Sequence, residues 1–497
     1  MNVHFTGLFP LWQCHFVAEC NFIEEHLQKG DIVTLSKCDS QLSACDANPK
    51  VNLPKCLTCM SIRENAQRLL TKEIKSFQLI SKETLLDIES IKIPNFQTRE
   101  NLQSYCWNGI NAGKEVISSI VTATGDLRFC PIKNHGLIKK LIRDYLKVYL
   151  TALNEIRQRN ISLVYIFNGR FAASRAWVRA CEAANINYIT HDRLGLPDRM
   201  LKVTNGSPHD LSMYGDLINN YWEENKSIPE VNSQADDFFK ERPLGSLTGW
   251  YSFVKKQDIK VLPAGWDEKK RNIAIFSSTE SEFFGLSELF AGALFTEQIE
   301  AYNKISEMVK DKKEMHFYLR IHPNSIHEND KWWESHDLKK LKNLTIIEPD
   351  SPISSYSLLM ACEKTIVFMS TMGIEATYWG KPSIAVSNTM YKGINAVYEP
   401  TDLTQLKGYI LDPSMPPKPK ERALAYGAYM RCGSTRLPYS ELIDHCTLTF
   451  KGVRPNASEA ILNHLWKWEY INKKLQLPQW LENLWTRSEF VKLVNKL

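Results

Sequence analysis

Residues 364–387 read KTIVFMSTMGIEATYWGKPSIAVS. The apolar run KTIVFMS is followed by a helical pattern, GIEATYWG, and then by a second apolar run, PSIAVS. Gly380 and Pro382 stand between the helix and the second run, where glycine ends a helix and proline prevents its continuation. Apolar strands that alternate with helices are typical of parallel sheets, because helices cover both faces of such a sheet. This stretch therefore predicts a strand–helix–strand unit of an α/β domain.

The same alternation extends to both sides of this unit. NIAIFSS, HFYLRI and LTIIEP precede it as further predicted strands, so we expect a C-terminal α/β domain over residues 271–435. VHFTGLF, IVTLSKC, SLVYIFN and NYITHD predict a second α/β domain over residues 1–255, with a helical insert from about Arg63 to Arg159. Residues 233–271 gather proline and glycine, which indicates a domain boundary. Residues 436–497 predict C-terminal helices that pack back on the N-terminal domain.

The composition limits the partners and the compartment. The 497 residues carry 61 Lys and Arg against 56 Asp and Glu, a net charge of +5, and 43% are hydrophobic, which excludes a disordered chain. No dense basic run accompanies this charge, so nucleic acid is not an expected partner. No apolar run reaches roughly 18 residues and no signal-peptide pattern opens the chain, so we expect a cytoplasmic protein. The Trp- and Lys-rich residues 461–497 leave open a peripheral contact with the inner face of the membrane.

Polar residues follow two predicted strands of the C-terminal domain, at the edge where open parallel sheets bind ligands. His322 and Pro323 follow HFYLRI, and the proline biases the histidine toward extended geometry that faces the cleft between the domains. Such an imidazole can donate a hydrogen bond to a phosphate or stabilise a departing one. Ser277 and Ser278 end NIAIFSS and add hydroxyl groups at the same edge. The alternative for His322 is a histidine that only caps a turn.

A third strand end carries hydroxyls and a glycine. KTIVFMS runs into Ser370, Thr371 and Gly373, which places donors at a helix N-terminus, where an anion is favoured. Glu375 lies in the first turn, and its carboxylate suits the two hydroxyls of a ribose. The alternative is an ordinary N-cap with a first-turn glutamate. Neither GxxxxGK[ST] nor a convincing GxGxxG is present, so the pattern predicts a nucleotide site that is neither a P-loop nor a dinucleotide fold.

The N-terminal domain offers candidates for proton transfer. Asp192 stands at the end of NYITHD and is a candidate general base for an acceptor hydroxyl. Its rivals are His15 and Glu19, four residues apart on the first helix, and Asp126. A plain salt bridge for Asp192 and a solvated helix face for the pair remain the alternatives. The residues expected on the acceptor side are His15, Glu19, Asn168 and Arg170.

Four of the 12 cysteines follow the second predicted strand: Cys38, Cys45, Cys56 and Cys59. A CxxC pair is a common half of a zinc site, and the two earlier cysteines would complete a tetrahedral set. We therefore expect a structural zinc or another thiolate-held centre, with reduced or redox-labile cysteines as the alternative. No DxD-type motif stands convincingly at a strand end, so no catalytic metal is expected.

Several longer segments resemble one family. FNGRFAASRAWVRACEAANINYITHD, LPAGWDEKKRNIAIFSSTESEF, LRIHPN and STMGIEATYWGKPSI are similar to segments of bacterial capsular-polysaccharide and O-antigen biosynthesis proteins with GT-B glycosyltransferase architecture. The likeness covers most of the chain, including the CD…NP…CxxC segment that holds the four cysteines, and leaves out the tail. The resemblance implies two Rossmann-like domains that face a central cleft.

The resemblance also implies a reaction. In similar capsule, teichoic-acid and sialic-acid transferases, a His-Pro motif and a Ser/Thr pair contact the donor phosphate, and a carboxylate of the N-terminal domain deprotonates the acceptor. Carried onto this chain, these are His322-Pro323, Ser370-Thr371 and Asp192. HDRLG at residues 191–195 departs from the sialyl-transferring enzymes, which have an acidic residue directly before glycine.

The implied enzyme is an inverting, metal-independent glycosyltransferase of surface-glycan biosynthesis. Its donor would be a CMP-, UDP- or GDP-linked sugar, and its acceptor a glycan or a lipid-linked glycan. The alternatives are a polyol-phosphate transferase, a sugar-nucleotide epimerase and a non-catalytic scaffold of capsule assembly.

Overall fold

The structure is a computed structural model that describes residues 1–245, 254, 257–258, 261–279, 292–327, 331–335, 338, 340–444 and 447–456. The strands are β1 (Asn2–Phe5), β2 (Ile32–Lys37), β3 (Lys75–Gln78), β4 (Cys106–Trp107), β5 (Ile110–Asn111), β6 (Leu163–Phe167), β7 (Asn187–Leu194), β8 (Leu196–Thr204), β9 (Arg271–Phe276), β10 (Met315–Arg320), β11 (Leu344–Ile347), β12 (Lys364–Val367), β13 (Ser383–Ala385), β14 (Thr435–Arg436), β15 (Leu442–Asp444) and β16 (Thr447–Leu448).

The helices are α1 (Gln13–Gln28), α2 (Leu53–Arg68), α3 (Lys82–Glu89), α4 (Arg99–Gln103), α5 (Ala112–Glu115), α6 (Ile117–Thr124), α7 (His135–Gln158), α8 (Ala172–Ala184), α9 (Tyr214–Asn225), α10 (Pro229–Glu241), α11 (Gln298–Val309), α12 (Ser355–Ala361), α13 (Met372–Tyr378), α14 (Leu403–Leu411) and α15 (Lys420–Cys432). No helix in the part of the chain that the structure describes is long and apolar enough to cross a membrane.

Two sheets organise these elements. The N-terminal sheet has the order β14-β8-β7-β6-β1-β2-β3, in which β7, β6, β1, β2 and β3 run parallel. The C-terminal sheet has the order β11-β10-β9-β12-β13 and is parallel throughout. Both sheets place the carboxyl ends of their parallel strands at one edge. The predicted α/β fold with two Rossmann-like domains is confirmed.

The sequence patterns missed the strands β3 and β8 of the N-terminal sheet and placed the end of β7 too early. β3, with the sequence KSFQ, lies inside the predicted helical insert, and its partly exposed residues at the sheet edge show no apolar run. β7 does not end at Asp192 as predicted but continues to Leu194 and turns back as the antiparallel β8. Gly195 makes this hairpin possible. Its φ is +72°, and a Cβ there would lie 1.5 Å from the carbonyl oxygen of Met430.

The chain passes from the N-terminal domain to the C-terminal domain and then back again. Helices α9 and α10, which the boundary at residue 255 assigned to the N-terminal domain, share an apolar cluster with α13, α15 and the C-terminal sheet. The Tyr378 hydroxyl donates a hydrogen bond of 2.6 Å to Asp236 on α10. The C-terminal segment packs against the N-terminal domain, where β14 pairs with β8 and where Leu448 and Phe450 belong to the apolar cluster around α1. The tail helices predicted from residue 458 onward lie outside the described residues.

Candidate active site

Three strand ends meet at the carboxyl edge of the C-terminal sheet. The Ser277 hydroxyl, directly after β9, accepts the backbone N–H of His322 after β10 at 2.8 Å. The Ser278 hydroxyl donates to the carbonyl oxygen of Phe368, directly after β12. Serines 277 and 278 therefore tie β10, β9 and β12 together. The structure brings these predicted residues together, with both serine hydroxyls bonded to protein.

His322 is a neutral hydrogen-bond donor in this arrangement. Its Nδ1 accepts the N–H of Asn324 at 3.2 Å and lies 2.9 Å from the Thr279 hydroxyl. A ring nitrogen that accepts an N–H carries no proton, so we assign the ring proton to Nε2. Burial, with Arg320 nearby, lowers the pKa of His322 to about 4. Pro323 opens a short 3-10 helix, Pro323–His327, which fixes the backbone after the histidine.

The N-terminus of α13 differs from the predicted anion site. The N–H of Met372 already bonds the Ser370 hydroxyl at 3.3 Å, and the N–H of Gly373 bonds the Ser370 carbonyl at 3.2 Å. Gly373 serves packing, because a Cβ there would lie 2.4 Å from the Tyr391 hydroxyl and 2.7 Å from Cγ2 of Val367. Any anion here would be bound by side chains, since α13 has 7 residues and its first amides are occupied.

Glu375 is fully buried, and both of its oxygens have protein partners. Oε1 accepts Nε of Arg242 at 3.0 Å and the Thr371 hydroxyl at 3.2 Å, and Oε2 accepts the Tyr356 hydroxyl. Burial, with Glu375 beside it, raises the pKa of Tyr356, so this phenol stays protonated. A ribose at Glu375 would have to displace one of these partners. The ribose role stays a prediction, and the geometry gives Glu375 a structural one.

A second set of predicted residues meets at the carboxyl edge of the N-terminal sheet. Asp192 lies just past His191, the last β7 residue paired with β6. Its carboxylate accepts Nδ2 of Asn168 and the N–H of Arg193, each at 2.7 Å. His15 Nδ1 lies 3.7 Å from one carboxylate oxygen, and His209 Nε2 lies 3.6 Å from the other. We call Asp192, His15 and His209 the Asp–His cluster.

The protonation of the Asp–His cluster follows from its burial and its neighbours. Burial lowers the pKa of His15 to about 3 and that of His209 to about 4, so both imidazoles are neutral near neutral pH. Burial opposes the charge of Asp192, but the two histidines and the N–H of Arg193 hold its pKa below the ordinary value. Asp192 is thus an ionised carboxylate between two neutral imidazoles whose facing nitrogens have no hydrogen-bond partner among the described residues.

The other acceptor-side candidates are placed differently. Glu19 is 0% exposed, so it does not lie on a solvated helix face. Its carboxylate accepts the N–H of Gly7 at 3.1 Å and lies 3.4 Å from Nε2 of His191, and burial raises its pKa. Glu19 therefore supports the sheet from behind the Asp–His cluster.

Arg170 and Asp126 take separate positions. The backbone N–H of Arg170 donates to Asn168 at 3.3 Å, which places this loop beside the Asp–His cluster, and the Arg170 guanidinium bonds the Ser118 hydroxyl at 2.8 Å. Asp126, the rival base, accepts the N–H of Arg128 at 2.8 Å in a turn after α6. Of the two carboxylates, only Asp192 lies between two imidazoles.

Sequence reasoning missed three residues of these sites: His209, Arg242 and Tyr356. His209 sits in the turn SPHD at residues 207–210, where a histidine beside turn residues was the only signal. Arg242 lies in the segment assigned to the linker, and Tyr356 lies in the first turn of α12. Their partners are 17 to 133 residues away, so no local pattern reports the contacts.

The four early cysteines line one cavity, together with residues that follow β1 and β2. Burial raises the pKa of Cys38 and Cys45, and it raises that of Cys59 to about 12. Within the described ranges, no group of three or more His, Cys, Asp or Glu side chains is placed to hold a metal ion. The structural zinc stays a prediction.

No protein-family model and no curated protein matches the chain. Among solved structures, Thermosulfurimonas dismutans KpsC, a beta Kdo 2,4 transferase, is 13% identical over 61% of this chain and 87% of its own, with a TM-score of 0.38. UDP-GlcNAc 2-epimerase from Neisseria meningitidis is 12% identical over 86% and 97%, with a TM-score of 0.33. Acinetobacter baumannii MurG is 12% identical over 94% and 99%, with a TM-score of 0.26. Similarity at this level assigns no activity to the chain.

Proposed function

We propose that the protein is a glycosyltransferase that moves a sugar from a nucleotide-sugar donor on the C-terminal domain to an acceptor hydroxyl on the N-terminal domain. The observation that carries the proposal is the pairing of two different strand-end sites on two Rossmann-like sheets. One has an ionised carboxylate between two neutral imidazoles, and the other has an imidazole donor within a hydroxyl network.

The Asp–His cluster is proposed to deprotonate the acceptor. A general base needs an available lone pair within hydrogen-bond range of the hydroxyl that it activates. Asp192 is ionised, and Asn168 and Arg193 fix its orientation through two hydrogen bonds of 2.7 Å. His15 and His209 stand on either side, at 14% and 17% side-chain exposure, and offer ring nitrogens to an incoming hydroxyl. In this proposal the proton passes to Asp192 as the hydroxyl attacks the anomeric carbon, which inverts its configuration.

The C-terminal strand ends are proposed to stabilise the departing nucleotide phosphate. Donors fixed in advance stabilise developing charge without having to reorganise during the reaction. The His322 backbone is held by Ser277 and its ring by Asn324, so the direction of Nε2–H is set before a ligand arrives. Ser370 follows the next strand, and its hydroxyl, which accepts the N–H of Met372, can donate its own proton to the phosphate. The Thr371 hydroxyl and Arg242 are bonded to Glu375 and hold this turn in place. Motion of the sugar toward the acceptor would thus leave negative charge facing these groups.

Several parts of the proposal rest on the sequence. They are a CMP-, UDP- or GDP-linked sugar as donor, a bacterial capsule or O-antigen glycan or its lipid-linked form as acceptor, no catalytic metal, and a cytoplasmic site at or near the inner face of the membrane. The two sheet edges are consistent with a nucleotide and an acceptor.

The proposal is tested by nucleotide binding followed by transfer. Thermal unfolding is measured with CMP, CDP, UDP and GDP, and one of them is expected to raise the Tm, because a ligand that binds only the folded state stabilises it. The matching nucleotide sugar is then incubated with acceptor glycans, and nucleotide release is measured with and without acceptor. Release that depends on acceptor supports a transferase, whereas sugar conversion without acceptor identifies an epimerase. If none of the nucleotides raises the Tm, the proposal is overturned in favour of a non-catalytic scaffold.

A further inference from the structure

The outward face of the first half of α7 is basic. The buried side chains of this half, such as Ile138, Ile142 and Tyr145, recur every three to four residues and mark the face that packs on the core. Lys140 and Arg143 fall on the opposite face. Six cations of this region are exposed or partly exposed, and we call them the basic rim: Arg99, Arg128, Lys133, Lys139, Lys140 and Arg143.

Contacts to the backbone hold the basic rim together as one surface. Nη1 of Arg99 donates to the carbonyl oxygen of Leu127 at 3.0 Å, which places Arg99 beside Arg128. The turn that carries Lys133 is closed by Asn134, whose backbone N–H and side chain both donate to one carbonyl oxygen, at 3.2 and 3.0 Å. The six side chains therefore extend from α7, from the turn before it and from the adjoining α4.

The basic rim lies beyond the carboxyl edge of the N-terminal sheet. α7 leads into β6 through a short loop, and its 24 residues span roughly 36 Å, against about 17 Å for the 5 residues of β6. Asp144 in α7 accepts the N–H groups of Ser43 and Ala44, in the loop after β2, at 2.7 and 2.8 Å. The Thr151 hydroxyl accepts the N–H of Ser81, after β3, at 3.1 Å. The part of α7 that precedes Asp144 therefore projects past the strand ends.

The basic rim also adjoins the acceptor side of the proposed transfer site. Ser118 on α6 accepts a hydrogen bond of 2.8 Å from the guanidinium of Arg170, whose loop lies beside the Asp–His cluster. Arg128 follows α6 and pairs at 3.3 Å with Glu297, directly before α11 of the C-terminal domain. The basic rim thus begins near the Asp–His cluster and continues outward along α7.

Cations outnumber acids at the basic rim. No acidic residue lies between Asp126 and Asp144 in the sequence, and Asp144 is buried. The acids next to rim residues are Glu100, Asp126 and Glu297, of which Glu297 pairs with Arg128. Three ammonium groups form no ion pair with any residue that the structure describes: those of Lys133, Lys139 and Lys140. A surface of this kind attracts a polyanion.

The apolar side chains of this surface favour a glycan over a membrane as the polyanion. A helix that lies on a membrane needs an apolar face that enters the lipid. Among the described residues of this stretch, Ile132 is the only large apolar side chain with high exposure, at 53%. A single exposed apolar residue is ordinary on a protein surface. The basic rim therefore suits a hydrated polyanion.

We propose that the basic rim binds an acidic acceptor glycan, holding negatively charged sugars that lie outside the reaction while the reacting hydroxyl reaches Asp192. The inference rests on the proposed transferase function and adds the charge of its acceptor. Carboxylates or phosphate groups on the glycan would supply that charge. Lysine suits such repeated charges, because its ammonium is a mobile point charge that requires no fixed geometry.

The test measures binding of oligosaccharides to the full chain without any nucleotide sugar. The probes are oligogalacturonides, which carry carboxylates, phosphorylated oligomannosides, which carry phosphates, and malto-oligosaccharides of matched length, which are neutral. We expect an acidic probe to bind more tightly than the neutral one by about tenfold or more, and its affinity to fall as the salt concentration rises. The acidic probe that binds more tightly identifies the source of the charge. Equal binding of acidic and neutral probes, or no binding of either acidic probe, would overturn the proposal.

Lys139→Gln combined with Lys140→Gln is expected to weaken binding of the acidic probe about three- to tenfold, the effect of losing two exposed ion pairs. Lys304→Gln combined with Lys310→Gln is the matched control, because it removes the same charge from α11, which ends at the amino edge of the C-terminal sheet, before β10. Equal weakening by both pairs would reduce the effect to net charge and overturn the proposal. Vesicles of phosphatidylglycerol and phosphatidylcholine are tested in parallel. Vesicle binding that the Lys139, Lys140 variant loses, without glycan binding, would assign the surface to a membrane instead.

Failure of this inference and failure of the transferase proposal give different results. If no nucleotide raises the Tm but an acidic probe binds through the basic rim, the transferase assignment fails and a glycan-binding surface stands. If transfer is observed, the Lys139, Lys140 variant is expected to raise the KM for the acceptor about three- to tenfold with kcat unchanged, because these cations hold the acceptor away from the reacting centre. An unchanged KM would remove the basic rim from the acceptor site and leave the transferase in place.

Discussion

The edges of the two sheets carry different chemistry. At the N-terminal edge, His15 and His209 stand 3.7 and 3.6 Å from Asp192, just beyond hydrogen-bond range. At the C-terminal edge, Ser277 and Ser278 are bonded within the protein, and Nδ1 of His322 is bonded as well. A proton acceptor must keep a lone pair for the substrate, whereas a site that stabilises an anion gains from donors whose directions are already fixed. In the proposed transferase, this difference would suit the N-terminal edge to proton transfer and the C-terminal edge to stabilising a developing negative charge.

Replacing the carboxylate is the strongest way to break this comparison. Asp192→Asn keeps the shape and removes the charge, so we expect kcat to fall by about 10²–10⁴-fold, the range for loss of a general base. Circular dichroism and Tm check that the variant is folded. Asp126→Asn is the matched control, since Asp126 only caps a turn. A large loss in the control with near-normal turnover in Asp192→Asn would transfer the role of base to Asp126.

Arg242→Met tests whether the Glu375 pair is structural. The substitution leaves a fully buried carboxylate without its cation, and breaking a buried pair in this way costs about 3–5 kcal/mol of the free energy of unfolding. Arg271→Met is the control, because its partner Glu363 is partly exposed and the expected cost is about 1 kcal/mol or less. Denaturant unfolding measures both. Equal costs would mean that Glu375 does not depend on Arg242.

His322→Ala tests the donor edge. Loss of one fixed donor to a developing anion is expected to reduce kcat by about 10²–10³-fold, while the protein stays folded. His135→Ala is the control, because His135 is exposed at the start of α7. Kinetics at saturating donor separate an effect on kcat from one on KM. Near-normal turnover in His322→Ala would remove this residue from the site.

The smallest expected effect is that of pH. In the proposed mechanism the active form has Asp192 ionised and His15, His209 and His322 neutral. Their lowered pKa values, about 3, 4 and 4 for the histidines, mean that this form exists above about pH 5 and is lost as the pH falls through 4. We therefore expect kcat/KM to change by less than about twofold between pH 6 and 8. An inflection near 6.5, the ordinary histidine pKa, would show that one of these imidazoles is not buried as described.

The sequence reveals the position of a candidate residue along a strand more readily than it reveals the burial of that residue. His322 and Ser277 were predicted because they stand just after strands, a position that the apolar pattern reveals, whereas Asp192 lies within β7, one residue past the last residue that pairs with β6. Glu19 and Glu375 were predicted to face ligands, yet both are 0% exposed and bonded to protein. The local sequence around a glutamate on a helix does not show whether its carboxylate faces solvent or a buried partner.

By itself the sequence determined two α/β domains, the strand ends where the site residues lie, and four cysteines within one short segment, because these depend on local periodicity and spacing. Only the tertiary structure decided that His209 joins Asp192, that Arg242 binds Glu375 and that four thiols surround one cavity. It also decided that α9 and α10 pack with the C-terminal domain. These contacts join residues far apart in the chain, and the packing that pairs them is a property of the folded core, which no local pattern encodes.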